Sequence, residues 1–205
     1  MNNLAGPGGI PAGFSSPVHD AQATFRVLLE AMSRPGKRLS VPVQPEVFHG
    51  FPDAALSVLL SLADFDTPIW LSDDHRKAVL REFLTFHCGC PVVEQPSEAV
   101  FGLVHADINP EMLGKFNPGL PEYPDRSATI VVVAESLETG NGSMIQGPGV
   151  RDQAVIRVAG TLPGFWKYVA ANSAMFPQGV DFIFVGDGEM VCLPRSVMVR
   201  EVLCT

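Results

Sequence analysis

Read on its own, the sequence predicts a single-domain α/β fold, a three-layer sandwich in which a mixed β-sheet is covered by helices. Three observations carry that expectation. Segments with the period of an amphipathic helix alternate with short β-branched runs through most of the 205 residues. The 18 prolines and 19 glycines fall between those segments as punctuation, too many for a helical bundle. The run ATIVVVAESL (128–137) is apolar without alternation, which suits a central strand buried on both faces.

Taken in order, residues 1–16 are mostly Gly, Pro, Asn and Ser with little to bury, and read as a flexible tail ahead of one domain over 17–205. DAQATFRVLLEAMSRPG then carries Phe25, Leu28, Leu29 and Met32 on one helical face, with Asp20 as N-cap and Pro35-Gly36 as the stop. KRLSV reads as a short strand. After a Pro-rich connection, Asp53 opens the helix DAALSVLLSLAD, which is apolar nearly all round and so should be buried.

Thr67 to Leu71 is expected as a strand, followed by a helix through DDHRKAVLREFLTFHC. Asp73 and Asp74 would occupy its first turn, where the helix dipole favours acids, and Val79, Leu80, Phe83, Leu84 and Phe86 its apolar face. AVFGLVH (99–105) is a strand, and NPEMLGKF at most a short helix. SMIQGPGV and QAVIRVAG form a hairpin around Gly147-Pro148-Gly149. LPGFWKYVAANSAMF is a helix with Pro163 near its start, and GVDFIFVGDGEMVCLPRS gives two strands joined at Asp187-Gly188.

Charge narrows the function classes. A formal net charge of −8 leaves no broad basic face for a phosphate backbone or an anionic membrane, so neither nucleic acid nor membrane is an expected partner. A small anion would need a local arginine pocket or a metal ion. No run of about 18 apolar residues is present, and the N-terminal stretch lacks the basic-then-apolar pattern of an export signal. A cytoplasmic protein is expected, with Cys88, Cys90, Cys192 and Cys204 as reduced thiols.

The chemistry-bearing motifs are few. A phosphate-binding loop needs a glycine four residues ahead of Gly-Lys-Ser/Thr; Gly114-Lys115 has Asn109 in place of that glycine and Phe116 in place of the hydroxyl. The Gly186-Asp187-Gly188 turn leads into a strand and not into a helix N-terminus, so it reads as a hairpin turn rather than a dinucleotide site. No nucleophile elbow and no paired-histidine zinc helix occur. GSMIQGPGVRD offers glycine amides beside Arg151, but turn chemistry accounts for it. FHCGCP places His87, Cys88 and Cys90 within four positions, yet a structural zinc needs a fourth ligand nearby and none follows, so no metal is expected.

Several segments together resemble one family, the H subunit (PhnH) of the bacterial carbon-phosphorus lyase system for phosphonate use. They are PVHDAQATFRVLLEAMSRPG, SVLLSLADFDTPIWL, FHCGCPVVEQP, GPGV at 147–150 and FPQGVDFIFVGDGEMVCLPRS, which cover nearly all of the chain after residue 16. The resemblance implies a pared-down pyridoxal-phosphate transferase fold, a homodimer when isolated, and assembly with the other subunits of the core complex. That complex exchanges the adenine of ATP for a phosphonate, giving a ribose 1-phosphonate 5-triphosphate, so ATP or a phosphonate is the expected ligand class.

The resemblance does not extend to a cofactor. Lys37, Lys77, Lys115 and Lys167 are the chain's lysines, and none sits in a polar loop after a strand as a Schiff-base lysine would. No catalytic residue carries over either. Asp64, Asp66, Thr67, His87 and Arg195 match the family's polar positions and are expected to form a ligand pocket or partner surface. In plainer terms Asp66 would cap the turn before a strand, Thr67 would begin that strand, His87 would close a helix and Arg195 would make a surface ion pair. The sequence thus points to a subunit supporting a reaction beside partners; a free-standing nucleotide- or phosphonate-binding enzyme and a ligand-free scaffold are the alternatives.

Overall fold

Side chains alternate along the strands of a seven-stranded sheet and so feed two separate cores, which sets the layering. The computed structural model describes residues 10–45, 53–72 and 77–203. Its helices are α1 (Pro17–Ser33), α2 (Asp53–Leu62), α3 (Lys77–Cys88), α4 (Pro110–Leu113) and α5 (Phe165–Ser173). The first strands are β1 (Leu39–Ser40), β2 (Ile69–Leu71), β3 (Val92–Val93), β4 (Phe101–His105) and β5 (Thr129–Val133). The remaining five are β6 (Gly142–Gln146), β7 (Ala154–Arg157), β8 (Asp181–Gly186), β9 (Glu189–Leu193) and β10 (Met198–Leu203).

The large sheet runs β1-β9-β8-β5-β4-β2-β3. Strands β3, β2, β4, β5 and β8 are parallel, while β9 and β1 add antiparallel at the far edge. β5 is central and buried, as its unbroken β-branched run predicts, although it ends at Val133. Leu71, Leu103, Val131, Val133, Ile183 and Val185 point to one face and meet α1, α2 and α3. Ile130, Val132, Phe182, Phe184 and Val191 point to the other and meet α4 and α5. α2 is buried from Ala54 through Leu59, in accord with its all-round apolar sequence. Asp73 and Asp74 lie outside the described residues.

A second sheet was not expected. β6 and β7 pair as the predicted hairpin, but β10 joins β6 and completes a three-stranded sheet, β10-β6-β7, that shares the second face with α4 and α5. Ile145 and Ile156 bury its inner side. The sequence hides this because a two-stranded hairpin needs a partner to bury its apolar face, and that partner comes from the last strand of the chain. The hairpin turn itself docks on the end of α1. A Cβ at Gly149, whose φ is +79°, would stand 2.4 Å from the Ser33 carbonyl oxygen and 2.7 Å from Pro35. At the β8–β9 turn, Asp187 and Gly188 both have positive φ, which is the two-residue type I′ geometry that Asp-Gly favours.

α1 departs from expectation at two points. It begins at Pro17, and Asp20 sits one turn inside, where its carboxylate accepts the Ser16 backbone N–H at 2.8 Å. It is also rotated so that Thr24, Leu28 and Ala31 face the core, leaving Phe25 42% and Leu29 53% exposed.

One buried polar residue joins α5 to the start of β8. Asn172 is 2% exposed; its amide NH₂ donates to the Val180 carbonyl at 2.9 Å and its oxygen accepts the Val180 N–H at 2.8 Å. Asn172→Leu would strand both backbone groups away from water, so a loss of about 2–4 kcal/mol is expected in chemical denaturation. A loss below about 1 kcal/mol would show that the pairing is not a net contributor.

Candidate functional site

The parallel strands β2 and β3 begin side by side, and the loops that feed them form one corner of the molecule. The first loop, residues 64–67, is closed by its own side chains. The Asp64 N–H donates to Thr67 Oγ1 at 2.6 Å, the Thr67 hydroxyl donates to the Asp64 carbonyl at 2.8 Å, and the Asp64 carboxylate accepts the Asp66 N–H at 3.0 Å. This is the local side-chain turn that Asp and Thr favour. It turns Phe65 outward, 72% exposed, with Asp66 exposed beside it.

The second loop leaves α3 at Gly89, whose N–H donates to the Thr85 carbonyl at 3.0 Å with φ at +69°. Such a left-handed residue ends helices, and glycine pays no Cβ penalty there. The Ile69 N–H donates to the Pro91 carbonyl at 2.8 Å and joins the two loops. Phe65 packs over Gly89, and the Asp64 charge reaches Cys90.

His87 completes the corner. Its Nε2 lies 2.9 Å from the Pro11 carbonyl oxygen. A carbonyl only accepts, so Nε2 carries the proton. Gly13 lies against the ring, where a Cβ would come within 3.0 Å of Nδ1, and the Phe83 and Phe86 rings meet it tilted and edge-on at centroid separations of 4.5 and 5.0 Å. Ile10 packs against the helical core nearby, so the stretch from residue 10 onward is in contact with the body. Next to His87, the Cys88 thiol hydrogen-bonds Cys90, which holds Cys90 below the ordinary cysteine range and Cys88 above it. Among the described residues, no group of three or more His, Cys, Asp or Glu side chains is placed to hold a metal ion.

Of the five predicted positions, then, Asp64, Asp66, Thr67 and His87 share this corner, and Arg195 does not. It follows β9, four strand spacings away from β2 in the sheet, or roughly 19 Å. Its N–H donates to Asp181 Oδ1 at 2.8 Å, and its guanidinium donates to the Gly179 carbonyl at 3.1 Å and to Ser127 Oγ, with Asp181 Oδ2 at 3.7 Å. Arg195 thereby ties together the starts of β5 and β8. Sequence reasoning missed its partners Ser127, Gly179 and Asp181, which lie 68, 16 and 14 positions away and share no local pattern.

Two further surfaces stand out. Val18 is 79% exposed and falls in line with Phe25 and Leu29, so α1 carries a second apolar stripe beside the buried one. The other is an open cleft of about 210 Å³ lined by Gly36, Arg38, Glu138 and Arg157 among others. Arg38 is already held by Glu138 and Glu189, and Arg157 donates to the Gly140 carbonyl at 3.2 Å, so its positive charge is largely spent internally.

Comparison with known proteins adds a family. The model for the bacterial phosphonate metabolism protein (PhnH) matches residues 12–200. A Rhizobium meliloti (strain 1021) protein, the alpha-D-ribose 1-methylphosphonate 5-triphosphate synthase subunit PhnH, is 37% identical over 190 residues, covering 92% of this chain and 94% of that protein. A Stutzerimonas stutzeri protein, the provisionally named C-P lyase subunit protein HtxG, is 31% identical over 185 residues, covering 87% of this chain and 85% of its own.

Proposed function

Because the chain belongs to the PhnH family of bacterial phosphonate metabolism proteins, we propose that it serves as the H subunit of a carbon-phosphorus lyase core complex. There it supports the displacement of adenine from ATP by a phosphonate, in company with subunits that supply the chemistry. The observation that carries this reading is the 37% identity to a ribose 1-methylphosphonate 5-triphosphate synthase subunit over 94% of that subunit's length, a likeness to the whole subunit and not to a fragment. The seat of such a reaction is the cytoplasm, where ATP is made available; among the described residues no helix is long and apolar enough to cross a membrane.

The side chains favour work beside partners over work alone. Lys37 and Lys77 are engaged with Glu30 and Glu94, and Lys115 and Lys167 are exposed. No described lysine therefore lines a pocket suited to pyridoxal phosphate, and the fold is read as a transferase-like scaffold without that cofactor. Asp64 and Thr67 are spent on their own turn and His87 on the Pro11 carbonyl, which leaves Asp66, exposed at the same corner, as the group free to meet a ligand or a partner. Arg195 holds the opposite end of the same sheet edge. The exposed α1 stripe of Val18, Phe25 and Leu29 is the face that a second copy covers when the subunit is isolated, since an apolar row of this kind is costly to leave in water.

The test is co-purification of the tagged chain with the other core subunits from its native host, combined with adenine release from ATP and methylphosphonate. Stoichiometric recovery and release by the assembly alone are expected. Adenine release by the isolated chain would overturn the subunit reading in favour of a free-standing enzyme, and loss of association at low salt would count equally against it. Calorimetry of the assembly with ATP and methylphosphonate then separates a binding subunit from a scaffold: Asp66→Asn with His87→Ala is expected to weaken ligand or partner binding at least about tenfold.

A further inference from the structure

We propose that the free edge of β7 is a strand-docking site, where an extended, uncharged segment of a partner chain adds as a fourth strand to the small sheet β10-β6-β7. The ladder shows which groups are on offer. The Val158 N–H donates to the Asn141 carbonyl at 3.0 Å, and the register then runs Arg157↔Gly142, Ile156↔Ser143, Val155↔Met144 and Ala154↔Ile145. Bonded and unbonded pairs alternate in an antiparallel ladder, so Ile156 and Ala154 bond to β6 while Val155 and Arg157 turn their N–H and C=O groups the other way. The Ile156 carbonyl agrees: its oxygen crowds the position that a Gly142 Cβ would take, on the β6 side.

Among the described residues, the other sheet edges do not invite such pairing. β1 and β3 are two residues long, too short for a ladder. β10 lies against α5, whose Ser173 hydroxyl oxygen accepts the Val199 N–H at 3.3 Å. β7 spans four residues with no proline and no bulge, two of the devices that keep an edge from pairing. Its one charged side chain does not guard it either, because Arg157 lies back over Gly142 and donates to the Gly140 carbonyl at 3.2 Å. Val155, in the middle of the edge, is 45% exposed.

The cleft of about 210 Å³ runs along this edge, lined by Val155, Ile156 and Arg157 on the β7 side and by Leu137 and Val191 from the large sheet and its loop. Its charges are met internally, as Arg38 is by Glu138 and Glu189, so a small anion gains little there. In a protein of net charge −8 the same neutrality spares another chain the repulsion it meets elsewhere. What the cleft offers is main chain and apolar wall. That suits an extended segment whose backbone pairs with Val155 and Arg157 and whose alternate side chains, small or β-branched, seat on Leu137 and Val191. A second copy of this chain fits less well, since its β7 arrives with Ile156 already buried in its own core and cannot turn that side chain into the cleft. The partner is therefore a segment with no core behind it; its assignment to another core subunit rests on the function proposed above.

The full chain, alone and in the co-purified core assembly, is compared by hydrogen exchange resolved to single amides. The Val155 and Arg157 amides should exchange freely in the isolated protein and at least about tenfold more slowly in the assembly, while the β6-bonded Ile156 amide is slow in both. Val155→Pro is the matching variant, because proline at a free edge removes a donor that β6 does not use. It should leave the thermal midpoint little changed and cut recovery of the core subunits at least about tenfold. An assembly in which both amides stay fast, or one that Val155→Pro joins undiminished, overturns the docking proposal and leaves the subunit reading standing. Protection that rises with the concentration of the isolated chain puts a second copy on the edge and overturns it too. Failure of the unaltered chain to associate overturns the subunit reading and this partner with it. Exchange in the unaltered protein decides the matter even where Val155→Pro fails to fold.

Discussion

Phe165→Ala is expected to destabilise the protein by about 3–5 kcal/mol, a large share of the roughly 5–15 kcal/mol that holds an ordinary domain together. Phe165 is fully buried at the start of α5, and its ring meets Trp166, Phe182 and Phe184 at centroid separations of 5.7, 6.3 and 6.3 Å. Removing it leaves a void under β8 that the stacked Phe182–Phe184 pair cannot close without leaving its strand positions. Urea denaturation of both proteins measures the difference. The control is Phe176→Ala, since Phe176 is 60% exposed and its loss should cost under about 1 kcal/mol. Equal effects at the two sites would mean that the second core is not packed as described.

The second large effect is on association. If the α1 stripe pairs two copies as proposed, Phe25→Glu with Leu29→Glu is expected to shift the isolated protein to a monomer in sedimentation velocity. About half of each side chain is open, so covering what remains is worth roughly 1.5–3 kcal/mol for the pair, and buried carboxylates add a further penalty. Weakening of at least about tenfold to a hundredfold follows. The thermal midpoint should move little, because the core contacts of α1 run through Leu28 and Ala31. An unchanged sedimentation coefficient together with undiminished co-purification would remove α1 from any interface.

The two results separate kinds of legibility. Phe165 was readable as part of a helix, and its place in the core comes from the packing of α5 against β8. Phe25 and Leu29 were readable as apolar but not as exposed: their spacing with Leu28 and Met32 matches a core-facing helix equally well, and only the rotation of α1 about its axis separates the two faces. Val79 and Phe86 of α3 repeat the lesson, at 44% and 51% exposure beside the buried Leu80, Phe83 and Leu84. A one-dimensional period reports that a face is apolar; what covers it is a property of the neighbours.

The candidate site divides in the same way. The Asp64–Thr67 turn is local chemistry within four consecutive residues, and the sequence conveys that a turn is there; but Asp64 and Thr67 make the bonds expected of Asp66, and β2 begins at Ile69 and not at Thr67. That His87 meets the Pro11 carbonyl from 76 positions away, or that Arg195 reaches Ser127 and Asp181, depends on which strands lie side by side. The three-stranded sheet likewise required its last strand to return to β6.

By itself, then, the sequence determined the types of most elements, though not β3 or β10, together with the central place of β5, the tight turns at Asp187-Gly188 and Gly147–Gly149, and the family, because each rests on short-range sterics or on a linear order of segments. Tertiary structure alone decided which apolar faces stay open and which of the five polar positions share a corner. Those outcomes follow from the relative rotation of packed elements and from contacts between distant residues, which no local pattern encodes.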